Sequence, residues 1–156
     1  MLDVALISHL PNFADFSRSE LEIFIRQSKA KRVEKNASFF SEGEAANSFY
    51  MLLDGYIRVV RISASGEQII VRYITSHELF GIASAIGRET YPANAVAAID
   101  SVALAWPMAL WDDTVRRFPS FAKAANSTLG NRLMDVQDRV IELATEQVEH
   151  RVAAAL

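Results

Sequence analysis

Short β-prone runs that alternate with turn residues are the feature that most constrains how this chain can fold. Between residues 31 and 75 the apolar and β-branched residues come in runs that are too short for ordinary helices. The runs are Lys31–Lys35, Ser38–Phe40, Phe49–Leu53, Tyr56–Ile62 and Gln68–Ile74. The turns between them contain Asn36, Glu42-Gly43-Glu44, Asp54-Gly55 and Ser63–Glu67. Regularly spaced short strands with glycine turns predict an antiparallel sandwich or barrel.

Asp54-Gly55 carries the strongest local signal of this region, because Asp-Gly between two β-rich runs is typical of a hairpin. The strand pattern resumes at Ala93–Ile99 and Ser101–Trp106, and Pro107 ends it. We therefore predict a mainly β fold with flanking helices and a hairpin at Asp54-Gly55.

The amino-terminal part has the periodicity of helices. Residues 1–30 are predicted to be helical, with Pro11 breaking an early short helix. Ser17, with Glu20 three positions later, has the spacing of a capping box, which marks a helix start. The apolar face that follows comprises Leu21, Phe24 and Ile25. We interpret this region as an element that packs on the strands.

The stretch Glu78–Trp106 predicts where a pocket lies. A strand end at Gly81 leads into a turn of small residues and then into the polar loop Gly87–Thr90, which ends at Tyr91-Pro92. A small-residue turn at a glycine exposes backbone N–H groups. We therefore expect a pocket beside Gly81, with the preceding strands as its wall.

The carboxyl-terminal part predicts helices and a partner for one of them. Trp111–Phe118 has the pattern of a short helix, and Pro119 is tolerated in the first turn of a longer one. A narrow seam flanked by charged residues then repeats at coiled-coil spacing, which favours pairing with a second copy over packing on the same domain. The predicted dimer interface consists of Asn126, Leu129, Leu133, Val136, Val140 and Leu143.

Composition narrows the class of protein. The 156 residues are 51% hydrophobic and 22% charged, which suits one soluble globular domain. The net charge of −3 excludes a basic nucleic-acid binder within this stretch. The absence of cysteine excludes disulfides, cysteine-ligated clusters and a cysteine nucleophile. Because neither a secretory signal nor a spanning segment is visible, we expect a cytoplasmic protein without a membrane partner.

The patterns divide the chain into three parts. Residues 1–118 are predicted to form the β domain with its amino-terminal helices, and residues 119–145 the dimerisation helix. Residues 146–156 are predicted to begin a further domain, because Val148, Val152 and Leu156 start a new apolar face that breaks off in mid-pattern.

Taken together, these features resemble the regulatory domain of the cyclic-AMP receptor protein and fumarate–nitrate regulator (Crp/Fnr) family of bacterial transcription factors. The resemblance rests on Phe40–Ala45, Phe49–Val59, Gly66–Ile70, Leu79–Gly81, Ala93–Trp106 and the helix after Pro119. It implies a double-stranded antiparallel β-roll, a long dimerisation helix and then a winged helix-turn-helix domain. It further implies an effector-sensing homodimer that is not an enzyme and that reaches DNA only through the domain beginning at residue 146.

The resemblance weakens at the positions that bind the family's ligand. Members that bind cyclic nucleotides place a glutamate after the matching glycine for the ribose, and an arginine–serine pair for the cyclic phosphate. Here those positions are Ile82, Tyr91 and Pro92. A buried phosphate without arginine lacks its charge-assisted partner, so we predict a hydrophobic effector rather than cyclic AMP. The candidate pocket comprises Val59, Val71, Gly81, Ile82, Ala83, Tyr91, Pro92, Ala93, Val136 and Gln137.

Three alternatives stay open at this point. One is a genuine cyclic-nucleotide module, in which Arg88 of the loop would have to replace the missing arginine. Another is a haem-based sensor of nitric oxide or carbon monoxide, of which the family has examples, with His77 as the candidate ligand. A metal enzyme on a cupin-like roll is disfavoured, because His9, His77 and His150 are scattered along the chain. The sequence itself requires no cofactor and no metal.

Overall fold

The computed structural model describes residues 4–128. In this part of the chain eight strands form two sheets: β1 (Lys29–Val33), β2 (Ser38–Phe40), β3 (Ser48–Asp54), β4 (Ile57–Ile62), β5 (Gln68–Ile74), β6 (Leu79–Phe80), β7 (Asn94–Ala97) and β8 (Ser101–Pro107). The α-helices are α1 (Arg18–Arg26), α2 (Trp111–Arg117) and a helical segment over residues 119–128. Short 3₁₀ turns lie at Val4–Leu6, Pro11–Phe13, Ala83–Ile86 and Met108–Leu110.

Each sheet combines strands that are distant in the chain. One sheet has the order β1-β8-β3-β6 and the other the order β2-β7-β4-β5, and all neighbouring strands are antiparallel. Two such sheets that face each other form a jelly roll, in which the inward side chains share one interior. The predicted mainly β fold, a β-roll with flanking helices, is confirmed.

The amino-terminal region is helical only in part. α1 begins with the predicted capping box: Glu20 N–H donates to Ser17 Oγ at 3.1 Å, and Ser17 N–H donates to Glu20 Oε1 at 2.9 Å. Lys29 and Ala30, which we predicted to be helical, begin β1 because they pair with β8. Pro11 starts a 3₁₀ turn instead of breaking a helix, and in that position its missing N–H removes no hydrogen bond.

The Asp54-Gly55 turn joins two sheets rather than two paired strands, so the predicted hairpin is wrong. β3 pairs with β6 and β8, whereas β4 pairs with β5 and β7. Gly55 has a φ of 129°, and a Cβ there would overlap the side chain of Ser101. Glycine lets the chain cross between the sheets at this point. The hairpin of this region is β4–β5, which the predicted turn at Ser63–Glu67 closes.

An aromatic cluster packs the helices on the first sheet. Its rings are those of Phe13, Phe16, Phe24, Phe49, Trp106, Trp111, Phe118 and Phe121. Trp106 is fully buried within it and stacks on Phe24, with ring centroids 4.5 Å apart. The indole Nε1–H donates to the Phe24 carbonyl at 2.8 Å, so its polar group is satisfied. Because α1, α2 and the helix at 119–128 all contribute rings, this cluster joins the helices to the roll.

A second core lies between the two sheets. Its rings are those of Phe39, Phe40, Tyr50, Phe80 and Tyr91, and its small residues include Ala83, Ala95, Ala97 and Ala103. Phe40 and Tyr91 stack with their centroids 3.7 Å apart. Alanine fills little volume beside these rings, which leaves space at the end of the roll near Gly81.

The predicted dimer seam is described only at its beginning. Asn126 is exposed on the helix at 119–128. Leu129, Leu133, Val136, Val140 and Leu143 lie outside the described residues, so the seam stays a prediction, as does the division into three parts. Within residues 4–128 no helix is both long and apolar enough to cross a membrane.

Candidate functional site

A cavity at the end of the roll is the candidate functional site. Its volume is about 80 Å³, which is smaller than the roughly 300–1,000 Å³ of drug-sized ligand sites, and its mouth is open to solvent. All the predicted pocket residues within the described part of the chain line it: Val59, Val71, Gly81, Ile82, Ala83, Tyr91, Pro92 and Ala93. The structure therefore brings these distant residues together. Val136 and Gln137 lie outside the described residues.

Gly81 allows the chain to pass close to the aromatic wall of the cavity. Its φ is 66°, in the left-handed region that favours glycine. A Cβ at this position would lie 2.9 Å from Tyr50 Cδ2 and 3.0 Å from Phe40 Cε2. The small residues of the turn Ala83–Ile86 follow at once and form one side of the cavity. The predicted turn of small residues after Gly81 is confirmed.

Tyr91 forms part of the wall and fastens it to β3. Its hydroxyl donates to the Ser48 carbonyl, and Ser48 N–H donates back to the phenolic oxygen at 3.3 Å. Burial raises the pKa of Tyr91 far above its ordinary value, and the neighbouring Tyr50 raises this pKa further. The phenol is therefore neutral at physiological pH and serves as a hydrogen-bonded wall residue.

Ile82 and Pro92 make their part of the cavity wall apolar. In the family resemblance described above, members that bind cyclic nucleotides carry polar groups at these positions. Ile82 is buried and belongs to the core that contains the aromatic cluster. An alkyl side chain offers no acceptor to a sugar hydroxyl, so this part of the cavity selects for apolar surface.

The strand β5 contributes a charged residue, Arg72, and a β-bulge to the wall of the same cavity. Val60 pairs with Ile70 and Val59 with Arg72, so Val71 is the extra residue of the bulge. Consecutive residues of a regular strand point to opposite faces, yet Val71 and Arg72 both line the cavity. Arg72 shares its strand face with Ile74, which also lines the cavity, so the bulge accounts for the additional presence of Val71. Our sequence analysis did not single out Arg72.

Arg72 is buried and connects three elements. Its Nη2 donates to Glu78 Oε2 at 2.8 Å, and its Nη1 donates to the Thr128 carbonyl of the carboxyl-terminal helix at 3.0 Å. The other carboxylate oxygen of Glu78 accepts from Thr75 N–H at 3.0 Å and from Thr75 Oγ1 at 2.6 Å. The guanidinium thus links β5, the turn before β6 and the helix whose Thr128 also lines the cavity.

Arg61 is the second cation of the cavity wall and lies nearer to solvent. Its Nε is 3.4 Å from Glu42 Oε1, and its side chain is 64% exposed. Arg61 follows Val59 by two positions in β4, so strand periodicity could have placed it on the predicted pocket face. The wall of the predicted pocket therefore includes two guanidinium groups that were not among the predicted pocket residues.

The haem ligand considered from the sequence lies elsewhere. His77 is exposed in the turn between β5 and β6 and borders a separate groove with Asn12, Ser120 and Lys123. Asn12 Nδ2 donates to the His77 carbonyl at 2.9 Å, which holds the backbone of this turn. No imidazole or thioether lines the cavity within residues 4–128, and the Tyr91 hydroxyl is engaged. The described residues therefore do not fit an axially ligated haem.

The described residues were also considered as ligands for a metal ion. No group of three His, Cys, Asp or Glu side chains within residues 4–128 is placed to hold a metal ion. The cavity wall offers apolar surface and two guanidinium groups, which are features of a binding site.

The chain is thus a β-roll of two antiparallel sheets with a cavity at one end. Residues 30–118 match the family profile of the cyclic nucleotide-binding domain, and this match covers more than half of the chain. The chain therefore belongs to the cyclic nucleotide-binding domain family, and its relatives are Crp/Fnr-type regulators, as predicted.

Two relatives illustrate the extent of the similarity. The chain is 26% identical over 126 residues to the anaerobic regulatory protein of Pasteurella multocida, which covers 81% of this chain and 46% of the relative. It is 25% identical over 146 residues to the cyclic AMP receptor protein of Thermus thermophilus, which covers 94% and 68%. The chain spans about half the length of most of the curated relatives it matches.

Solved structures agree on the fold. The catabolite activator protein of Thermus thermophilus superposes with a TM-score of 0.69 at 24% identity, over 92% of this chain and 67% of that protein. The sensor domain of the transcriptional regulator DNR from Pseudomonas aeruginosa also gives 0.69, at 23% identity, over 86% and 90%. These relatives are regulators by name, and at such identities the likeness concerns the fold.

Proposed function

We propose that this chain is the effector-sensing, dimerising regulatory domain of a cytoplasmic Crp/Fnr-type transcription regulator and is not an enzyme. Its effector is a mainly apolar small molecule that binds in the cavity beside Gly81. A domain that begins near residue 146 would carry the contact with DNA. The observation that carries this proposal is the cavity itself, because its wall includes both the strands of the roll and Thr128 of the helix.

The composition of the wall supports an apolar effector. Ile82 and Pro92 stand where hydrogen-bonding groups would hold a nucleotide, and Val59, Val71 and Ile74 continue the apolar surface on β4 and β5. Removing apolar surface from water is the main source of affinity for such ligands. A ligand that touches Thr128 also contacts the helix predicted to pair the two copies, so occupancy would bias the dimer.

Phenylnaphthylamine, a neutral apolar dye that fluoresces when buried, tests the cavity directly. The wild-type chain should bind it saturably. Val59→Trp should fill the cavity and weaken binding at least about tenfold, which corresponds to about 1.4 kcal/mol. Ile62→Trp is the matched control, because Ile62 lies on the same strand but is 46% exposed. Unchanged binding by the Val59→Trp variant would show that the dye occupies another site.

Cyclic-nucleotide binding is the second candidate function, favoured by the two arginines on the wall. Calorimetry with cyclic AMP and cyclic GMP separates the two candidates. We expect no heat of binding at micromolar concentrations, because Ile82, Tyr91 and Pro92 replace the groups that hold the ribose and the phosphate. Micromolar affinity for either nucleotide would favour the second candidate.

The dimer is tested by placing charge in the predicted seam. Leu133→Asp combined with Val140→Asp should convert a dimer into a monomer in gel filtration, because buried unpaired carboxylates are costly. Lys123→Asp, an exposed change on the same helix outside the seam, is the control. An elution volume identical to that of the wild type would refute pairing through this seam.

A further inference from the structure

We propose that the effector is an organic anion with an apolar body, and that its anionic group binds Arg72 in place of the Thr128 carbonyl. This inference rests on the effector-binding role proposed above. It adds the charge of the effector, the residue that recognises this charge and the contact through which binding reaches the helix.

Arg72 is unusual because it combines burial with access to the cavity. Among residues 4–128 it is the one charged residue that is buried, and it lines the cavity wall. A buried charge is costly unless it is paired. Glu78 supplies that pairing at 2.8 Å, and Thr75 fixes the carboxylate from the other side. The ion pair therefore holds the guanidinium in one place, which favours recognition of a ligand group there.

The charged groups that line the cavity wall are cations. Arg61 and Arg72 line the wall, whereas no Asp or Glu of the described residues does. Their partner carboxylates, Glu42 and Glu78, do not line the cavity. The formal charges cancel in sum, but only the cations belong to the wall that an anion inside the cavity would touch. Low-dielectric walls strengthen this difference.

Two of the groups that the Arg72 guanidinium contacts differ in charge. Glu78 is an ion, whereas the Thr128 carbonyl at 3.0 Å is neutral. Hydrogen bonds between two charged groups are roughly twice as strong as those between neutral groups. An incoming carboxylate or sulfonate would therefore exchange with the carbonyl and leave the pair with Glu78 in place. This exchange would release the contact between β5 and the helix at 119–128.

A pair of dyes that differ in charge tests this inference. Anilinonaphthalene sulfonate is an apolar anion, and phenylnaphthylamine is the same body without the sulfonate. The wild-type chain should bind the anion about tenfold or more tightly than the neutral dye, as expected for a hydrogen bond to a charged group. In the Arg72→Gln variant the two affinities should become similar. Arg58→Gln, a change on β4 outside the cavity wall, should leave the preference intact.

The neutral dye also reports whether each variant keeps a folded cavity. Arg72→Gln leaves the Glu78 carboxylate without its ion-pair partner. A double variant, Arg72→Gln with Glu78→Gln, therefore serves as a control, because it removes both charges together. It should bind the neutral dye as the wild type does and show no preference for the anion. Arg72→Lys, which keeps the charge, should retain part of the preference. A preference lost with Arg61→Gln but kept in the Arg72 variants would overturn the assignment to Arg72.

The outcomes separate this inference from the proposed function. If the wild type binds neither dye, the proposed apolar cavity function fails. If it binds both dyes equally well, only the anionic character of the effector fails.

A spin label measures the release of the helix. The chain has no cysteine, so Ser127→Cys provides a single labelling site on the exposed face of the helix. The anion should increase the mobility of this label, and the neutral dye should not. A spectrum that the bound anion leaves unchanged would refute the exchange with the Thr128 carbonyl.

Discussion

The aromatic cluster and the cavity wall belong to the same roll but are packed in opposite ways. In the aromatic cluster, rings from the helices meet rings from β3 and β8, and the Trp106 N–H is satisfied within it. At the cavity, alanines and Gly81 lie beside the rings, and hydrogen-bonded side chains such as Tyr91 and Arg72 fix the wall. The comparison teaches that one region serves as a rigid scaffold, while the other keeps a space whose walls are fixed by polar contacts.

The largest expected effect is in the aromatic cluster. Trp106→Ala should lower the free energy of unfolding by about 3–5 kcal/mol, because it leaves a large cavity among fixed rings. Urea unfolding monitored by circular dichroism measures this loss. Ile62→Ala, at an exposed strand position, should change stability by no more than about 0.5 kcal/mol. Equal losses for the two variants would break the distinction between scaffold and surface.

The next effect separates backbone strain from close packing at the cavity. Gly81→Ala should cost about 2–3 kcal/mol, because it adds a clash with Tyr50 to the strain of a positive φ. Gly87→Ala has nearly the same φ, 68°, but its Cβ would meet nothing within 4 Å, so strain alone should cost about 1–2 kcal/mol. Equal unfolding free energies for the two variants would contradict the tight passage at Gly81.

A smaller loss of unfolding free energy is expected when the Tyr91 hydroxyl is removed from the cavity wall. Tyr91→Phe should cost about 1–2 kcal/mol by leaving the Ser48 carbonyl without its donor. Because burial raises the native pKa of Tyr91, the unfolded chain releases this proton near pH ~10 while the folded chain keeps it. Wild-type stability should therefore be complete below pH ~10 and fall above it. The fall should be shallower in Tyr91→Phe, and parallel pH profiles would refute this role.

The smallest expected loss of stability concerns α1, which packs on the aromatic cluster. Ser17→Ala removes half of the capping box of α1 and should cost about 1 kcal/mol in urea unfolding. Dye binding at the cavity should not change, because no residue of α1 lines the cavity. A change in dye affinity in this variant would show that the two regions are coupled more tightly than their packing indicates.

Local signals located the elements that depend on a few consecutive residues. The capping box at Ser17, the positive-φ turn at Asn36 and the turn after Gly81 were all predicted from their own residues. The predictions that failed involve partners distant in the chain. Lys29 joins β1 because β8 lies beside it, and Asp54-Gly55 spans two sheets because β3 and β4 find other neighbours.

At the candidate site, too, some features could be predicted from the sequence and others depend on residues distant in the chain. Ile82, Tyr91 and Pro92 predict an apolar pocket from the sequence, because the family resemblance assigns them to positions that hold the ribose and the phosphate in members that bind cyclic nucleotides. Arg72 was not singled out from the sequence, although it shares one strand face with Ile74. By itself the sequence determined the antiparallel β class, most of the turns and the aliphatic part of the pocket wall, because turn chemistry and strand periodicity act over a few residues. Only the tertiary structure decided which strands pair and which faces of β4 and β5 turn their arginines toward the cavity, because strand register depends on contacts between residues far apart in the chain.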